Sequence, residues 1–241
     1  MLVPTGQLDT IRADIAALLA ACATDGHADN QDAGSGSLPE LAQAFDQLLD
    51  VFTRAESDLL TGDNTAPADI TELGEFGLQL TESLAARVGS DNRQAVAALV
   101  LNVALWIEVH GGQIDILEPV VDALALYANA SADPAELEAL GEIIRRIIAT
   151  VSPLLSQDLE KINQGRPWRV LLLNQSIVAT RSHNIQHMER AFACLADALP
   201  EDAPGFFSEG MQQMDALNYP DHVREVMEKY HRKWNMDHSL H

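Results

Sequence analysis

Two histidines in the last third of the chain, His183 and His187, lie four residues apart. On one helix they would share a face, where two imidazole nitrogens could bind a metal ion. The intervening Asn184 and the preceding Ser182 are typical of a turn, which would take His183 off that face. The spacing therefore predicts a metal site only if a single helix carries both rings.

A second metal pattern is Glu228-x-x-His231, the spacing found in carboxylate-bridged di-iron bundles. Those bundles need the motif twice and two further glutamates, and this sequence has one copy. His222 and Glu225 extend the row, but residues spaced by three drift around a helix and do not converge on one ion. We therefore predict no resident cofactor.

Basic residues gather at a predicted helix start, where Arg166 and Arg169 flank Pro167 and Trp168, with Lys161 close by. Bases at a helix N-terminus oppose the helix dipole, so a negative group is expected nearby. Two interpretations follow. A carboxylate from the acidic part of the chain docks here, or Arg166 and Arg169 grip an anionic ligand with Trp168 beside it.

The last third also concentrates side chains that are frequent in protein contacts. It holds five of the six Met and seven of the twelve aromatic residues. Methionine adapts to varied partners, and aromatic residues are enriched at interfaces. The predicted protein-binding residues are Phe206, Phe207, Met211, Met214, Tyr219, Met227, Tyr230 and Trp234. Their helical spacing is equally typical of a core face, and burial is therefore the alternative.

The charge of the chain is unevenly distributed. Residues 1–160 carry 26 acids and 6 Lys/Arg, whereas residues 161–241 carry 10 acids and 9 Lys/Arg. The total net charge of −21 opposes binding to nucleic-acid phosphates or anionic membranes. We predict an acidic Ala/Leu-rich body over residues 1–163 and a second helical unit over residues 166–241, with one shared core or two.

Helical periodicity dominates the sequence, and no alternating pattern typical of strands occurs. Ser37-Leu38-Pro39-Glu40 has the spacing of a capping box that opens a helix. A polar loop is predicted over residues 25–37, a helix start at Pro67, and a helix running from 134 to Asn163 with a kink at Pro153. The expected fold is all-α, with about ten helices in antiparallel pairs, as a multi-helical bundle or an α-solenoid-like array.

The two cysteines, Cys22 and Cys194, lie on apolar helical faces without a nearby partner. This predicts buried free thiols in a reducing compartment, and hence a cytoplasmic protein. Residues 19–22 resemble a lipoprotein cleavage box, but charged residues interrupt the apolar run that should precede it. The longest apolar run, residues 95–107, is too short to span a bilayer.

Tyr219-Pro220-Asp221-His222-Val223, followed by Met227 and Tyr230, resembles the Pro-x-Asp-His motif of the TorD-type redox-enzyme maturation chaperones. In that family a glutamate usually precedes the proline and the motif lies mid-chain, whereas here Tyr219 precedes it near the C-terminus. The resemblance implies an all-helical cytoplasmic chaperone that binds the signal peptide or apo form of a molybdoenzyme.

Phosphate-binding glycine loops and nucleophile-elbow motifs do not occur in the sequence, which favours binding over catalysis. We therefore expect a non-catalytic protein-binding or assembly module whose last third contacts a protein partner or a second copy in a homodimer. The alternatives are a metal-dependent or small-anion-binding helical enzyme that uses His/Glu or Arg of the last third, and a TorD-type maturation chaperone.

Overall fold

The computed structural model describes residues 4–24, 37–61 and 69–236. Within these ranges all regular secondary structure is helical, with eleven α-helices and a single 3-10 turn over Ser90–Asn92. The helices are α1 (Leu8–Thr24), α2 (Leu38–Thr61), α3 (Ile70–Ala85), α4 (Arg93–Val109), α5 (Glu118–Ala130), α6 (Pro134–Thr150), α7 (Pro153–Ser156), α8 (Pro167–Arg181), α9 (Ile185–Ala198), α10 (Ala203–Leu217) and α11 (Asp221–Met236). The predicted all-α fold is confirmed.

The prediction of a continuous helix from residue 134 to Asn163 is correct as far as Thr150 and wrong beyond it. Helix α6 ends at Thr150, whose carbonyl accepts a hydrogen bond from the Ile114 backbone N–H at 2.9 Å. The Ser152 N–H then donates to the Ile114 carbonyl at 3.1 Å. Pro153 starts the one-turn helix α7, because its fixed φ and missing N–H suit a helix start better than a helix interior.

Local helix signals agree with the structure where the chain is described. The Ser37 N–H donates to Glu40 Oε2 at 2.6 Å, and the Glu40 N–H donates to Ser37 Oγ at 3.4 Å, which is the predicted capping box. The predicted loop over residues 25–37 lies, except for Ser37, outside the described residues. The predicted helix start at Pro67 also lies outside them.

The chain divides into two compact units. Among the described residues, the N-terminal unit comprises residues up to 127 together with 146–159, and the C-terminal unit comprises 128–145 together with 160–236. The described part of the second helical unit predicted from the sequence, residues 166–236, lies in the C-terminal unit together with residues 128–145 and 160–165.

The N-terminal unit is built around α4, which packs against α1 and α3. Residues 99–107 of α4 are all buried, including the polar Asn102. Asn102 Oδ1 accepts hydrogen bonds from the backbone N–H groups of Thr5 at 2.9 Å and Gly6 at 3.2 Å. Its Nδ2 donates to Asp14 Oδ2 at 2.8 Å, so the buried amide is hydrogen-bonded at both ends.

In the C-terminal unit α8 packs on α9, α10 on α11, and α11 on α9. The links of residues 182–184 and 218–220 are short, which makes each joined pair antiparallel. One residue in each link has a positive φ, His183 at 58° and Asn218 at 50°. Asn218 ends α10 in the left-handed conformation that commonly terminates helices, and asparagine adopts it at little cost.

Candidate binding groove

A groove of about 570 Å³ lies in the C-terminal unit between α8 and α10. We call it the α8–α10 groove. Its apolar lining comes from α8, α10 and one residue of α11: Leu173, Ile177, Phe206, Met214, Leu217 and Met227. This volume is in the range of ordinary ligand sites in proteins.

The apolar lining has a buried floor and exposed edges. Met214 and Met227 are 2% and 1% exposed, whereas Ile177 on α8 is 45% exposed and Leu217 on α10 is 62% exposed. The groove therefore exposes the large apolar side chains of Ile177 and Leu217 to water, next to the buried Met214 and Met227. Such surfaces are typical of interaction sites.

The predicted protein-binding residues divide between this groove and the core. Phe206, Met214, Tyr219 and Met227 line the groove. Phe207 is buried, and its ring centroid lies 5.2 Å from that of Phe192 and 5.4 Å from that of Tyr230. The remaining members are half-buried outside the groove lining: Met211, Tyr230 and Trp234.

Sequence reasoning missed the α8 wall of the groove. Leu173 and Ile177 are four residues apart, and Arg169 and Arg181 continue the same row in both directions. A row with spacing four marks one helix face and could have been recognised. The pattern was obscured because buried residues occupy the other faces of α8 as well.

The predicted anion-binding residues lie at one end of this row. Arg169 Nε donates to Asp202 Oδ1 at 2.8 Å, and Arg169 Nη1 donates to the Gln164 carbonyl at 2.9 Å. Arg166 is buried, with Nη2 3.7 Å from Asp202 Oδ2, and its Nη1 also donates to backbone carbonyls. Trp168 is buried, and its Nε1 has no hydrogen-bond partner within the described part of the chain.

Asp202 therefore meets both arginines, but it lies in residues 161–241 and not in the acidic part of the chain from which the carboxylate was expected. It directly precedes α10, yet its side chain makes no capping bond to that helix. The carboxylate is instead turned to the guanidinium groups, where charge-assisted hydrogen bonds are stronger than a neutral cap. An external anion would have to compete with Asp202 for Arg166 and Arg169.

At the other end of the row, Arg181 is also engaged within the chain. Its Nη1 donates to the Ala128 carbonyl at 2.8 Å and its Nη2 to the Ser131 carbonyl at 2.6 Å. These carbonyls lie at the C-terminal end of α5, where the helix dipole attracts a cation. The groove thus has an arginine at each end, and both guanidinium groups are held by oxygen atoms of the same unit.

The two histidines of the metal pattern do not share a helix. His183 lies in the link before α9, as Ser182 and Asn184 predicted, and its ring centroid is 5.6 Å from that of Tyr219. Burial, together with the nearby His222, lowers the pKa of His183. His187 lies on α9, with Nε2 4.0 Å from a Glu138 oxygen.

The second metal pattern is also engaged in local pairing. Glu228 forms an ion pair with Arg232 at 2.7 Å, one helical turn further on. Among the described residues, no group of three or more His, Cys, Asp or Glu side chains is placed to hold a metal ion.

A titratable pair that sequence reasoning missed lies in the N-terminal unit. His110 Nε2 is 3.5 Å from Glu56 Oε1, and the same oxygen accepts a hydrogen bond from Trp106 Nε1 at 2.9 Å. His110 Nδ1 donates to the Trp106 carbonyl at 2.8 Å, and the Trp106 ring stacks on Phe52 with centroids 3.7 Å apart. The pair therefore joins α2 to the end of α4, and no local signal relates residues so distant in sequence.

Comparison with protein-family models, curated proteins and solved structures finds no match for this chain. The class of protein is therefore described by its structure alone. It is an all-α protein with an apolar groove, and the arginine at each end of this groove is hydrogen-bonded within the chain. In the described ranges, no helix has both the length and the apolar character needed to cross a membrane.

Proposed function

We propose that this protein is a non-catalytic binding protein that receives an apolar segment of a protein partner in the α8–α10 groove. The observation that carries the proposal is the exposure of Ile177 and Leu217 on the two edges of a floor made by buried Met214 and Met227. Covering these edges with apolar side chains of a partner removes apolar surface from water, at roughly 25 cal/mol per Å².

The shape of the site favours a protein segment over a small molecule. Small-molecule pockets enclose most of the surface of their ligand. Here Ile177 and Leu217 stand in solvent on opposite walls, each wall being a helix. A groove between two helices is the geometry in which proteins commonly receive the apolar face of a partner helix.

The polar lining favours binding over catalysis. Arg169 and Arg181 are engaged with Asp202 and with backbone carbonyls, and the Thr180 hydroxyl donates to the Ser176 carbonyl at 2.8 Å. Among the described residues that line the groove there is no histidine, cysteine, serine or lysine. The Thr180 hydroxyl is thus bonded to a backbone carbonyl and not to a side-chain base that would activate it as a nucleophile.

The test is affinity capture from a lysate of the source cells, with quantitative mass spectrometry of the captured proteins. The groove variant is Ile177→Asp. Its matched control is Ile185→Asp, because Ile185 is 42% exposed against 45% for Ile177 and does not line the groove. Aspartate at position 185, the first residue of α9, is also favoured by the helix dipole.

We expect one or more proteins to be retained by the wild type and by Ile185→Asp, and to be lost from Ile177→Asp at unchanged helicity. Equal capture by the two variants would contradict the proposal. Native mass spectrometry of the wild type and the two variants shows whether the partner is instead a second copy of the same chain. A homodimer that is lost only in Ile177→Asp would assign the groove to a second copy of the chain.

A further inference from the structure

We infer that the segment received in the α8–α10 groove is basic, carrying lysine or arginine beside its apolar residues. This inference rests on the proposed function and specifies the chemistry of the partner. The arginines of the groove are already bonded within the chain, whereas two of its carboxylates are exposed and weakly paired or unpaired among the described residues.

The two arginines that line the groove are already hydrogen-bonded to acceptors within the chain. Arg169 is hydrogen-bonded to Asp202 at 2.8 Å and to a backbone carbonyl at 2.9 Å. Arg181 bonds two backbone carbonyls at 2.8 and 2.6 Å. A carboxylate on a partner would have to share these guanidinium groups with acceptors held close by the fold, and would gain little from them.

Two of the three carboxylates that line the groove are more available than its arginines. Glu209 on α10 is exposed, lines the groove, and forms no ion pair or hydrogen bond among the residues that the structure describes. Among the described residues, Glu201 pairs with Lys161 alone, at 3.2 Å, and their side chains are 74% and 56% exposed. Such a surface pair is weak and is readily exchanged for another cation.

The position of Glu209 suits a contact with a bound segment. Phe206 precedes it by three residues and Gln213 follows it by four, and both also line the groove, so the three side chains lie on one face of α10. A lysine or arginine next to an apolar residue that contacts Phe206 would come within reach of the Glu209 carboxylate. The net charge of −21 would attract such a segment from a distance and speed its association.

The test uses three synthetic amphipathic peptides of about 18 residues, five helical turns. They share the same leucine positions and carry lysine, glutamine or glutamate at the polar positions. Each is labelled with a fluorophore, and its affinity for the full chain is measured by fluorescence anisotropy at low and at physiological salt. The protein variants are Ile177→Asp, Glu209→Lys and the matched control Glu225→Lys, since Glu225 is exposed on α11 outside the groove.

We expect the lysine peptide to bind at least about tenfold more tightly than the glutamate peptide, with the glutamine peptide between them and a smaller spread at physiological salt. Ile177→Asp should weaken all three. Glu209→Lys should weaken the lysine peptide severalfold more than Glu225→Lys does, although both change the net charge equally.

Each contrary result has its own meaning. Binding of all peptides that is unaffected by Ile177→Asp would overturn the proposed function, because the groove would not be the site. Equal binding of the three peptides, with sensitivity to Ile177→Asp, would leave the groove as a binding site and overturn the inference of a basic segment. Equal weakening of the lysine peptide by Glu209→Lys and Glu225→Lys would overturn the role of Glu209, since the attraction would then be general.

Discussion

Met227 of α11 lies directly against Gly210 of α10. A Cβ atom placed on Gly210 would be 2.5 Å from Met227 Sδ and 2.7 Å from Met227 Cε, which is closer than van der Waals contact allows. Met227 is buried at this contact but also lines the α8–α10 groove, so the flexible end of its side chain would have to turn towards the groove to make room for a Cβ atom. The absence of a side chain at position 210 therefore allows the Met227 thioether to pack directly on α10.

Gly210→Ala is predicted to leave the protein slightly less stable than Gly205→Ala. The clashing atoms are the end of a flexible side chain, so displacing Met227 should cost about 1 kcal/mol, the low end of overpacking, and the better helix propensity of alanine offsets about 0.5–1 kcal/mol of this. Gly205→Ala is the control on the same helix, because a Cβ atom there meets no atom within 4 Å. It should raise the free energy of unfolding slightly. Urea denaturation of both variants measures the difference, and equal free energies of unfolding for the two variants would contradict the packing argument.

Asp202→Asn is predicted to destabilise the C-terminal unit. The change removes the negative charge that faces the buried Arg166 and the half-buried Arg169. We expect a loss of about 1–3 kcal/mol in the free energy of unfolding, because a charged acceptor shared by two guanidinium groups is replaced by a neutral one. The control is Asp215→Asn, which breaks an exposed pair with Arg224 and should cost well under about 1 kcal/mol. If chemical denaturation gave equal losses in the free energy of unfolding for the two variants, the Asp202 pairing would stabilise the protein no more than an exposed ion pair does.

Asp14→Asn is predicted to change how stability depends on pH. Burial raises the pKa of Asp14, and the hydrogen bond from Asn102 opposes this only in part. A raised pKa in the folded state means that Asp14 favours folding when protonated, and that this contribution is lost as the pH rises through the folded pKa. The variant stays uncharged and keeps an acceptor for Asn102, so its stability relative to the wild type should increase from about pH 4 to pH 7.

The measurement for Asp14 is thermal unfolding at a series of pH values in constant ionic strength. Asp9→Asn, on the exposed side of the same helix, controls for the loss of one negative charge. A difference between Asp14→Asn and the wild type that stays constant with pH would refute the prediction.

Cys194 is predicted to react slowly with alkylating agents in the folded protein. Burial raises the pKa of this thiol, and the nearby Asp197 raises it further. Since the thiolate is the reactive form, iodoacetamide should modify Cys194 more slowly in the folded chain than in urea, and faster as the pH rises above 8. Asp197→Asn should accelerate the folded-state reaction. Intact-mass measurements over time follow the modification, and equal rates in folded and unfolded protein would rule out the effect.

Features decided over a few residues could be predicted from the sequence. The capping box of Ser37 and Glu40 and the turn around His183 both form between groups close in the chain. The all-α class follows for the same reason, because helical hydrogen bonds and helical periodicity are local. The prediction that failed, a continuous helix past Thr150, depends on backbone hydrogen bonds with the distant Ile114.

What only the tertiary structure decided is which apolar and charged groups face each other and which face water. Met214 and Ile177 both lie on apolar helical rows, yet the fold buries one and leaves the other at the edge of a groove. Arg169 could have awaited an anionic ligand, but the start of α10 brings Asp202 to it from 33 residues away. A single helix specifies the spacing of its side chains and not what covers them, because burial and charge pairing depend on how distant helices pack.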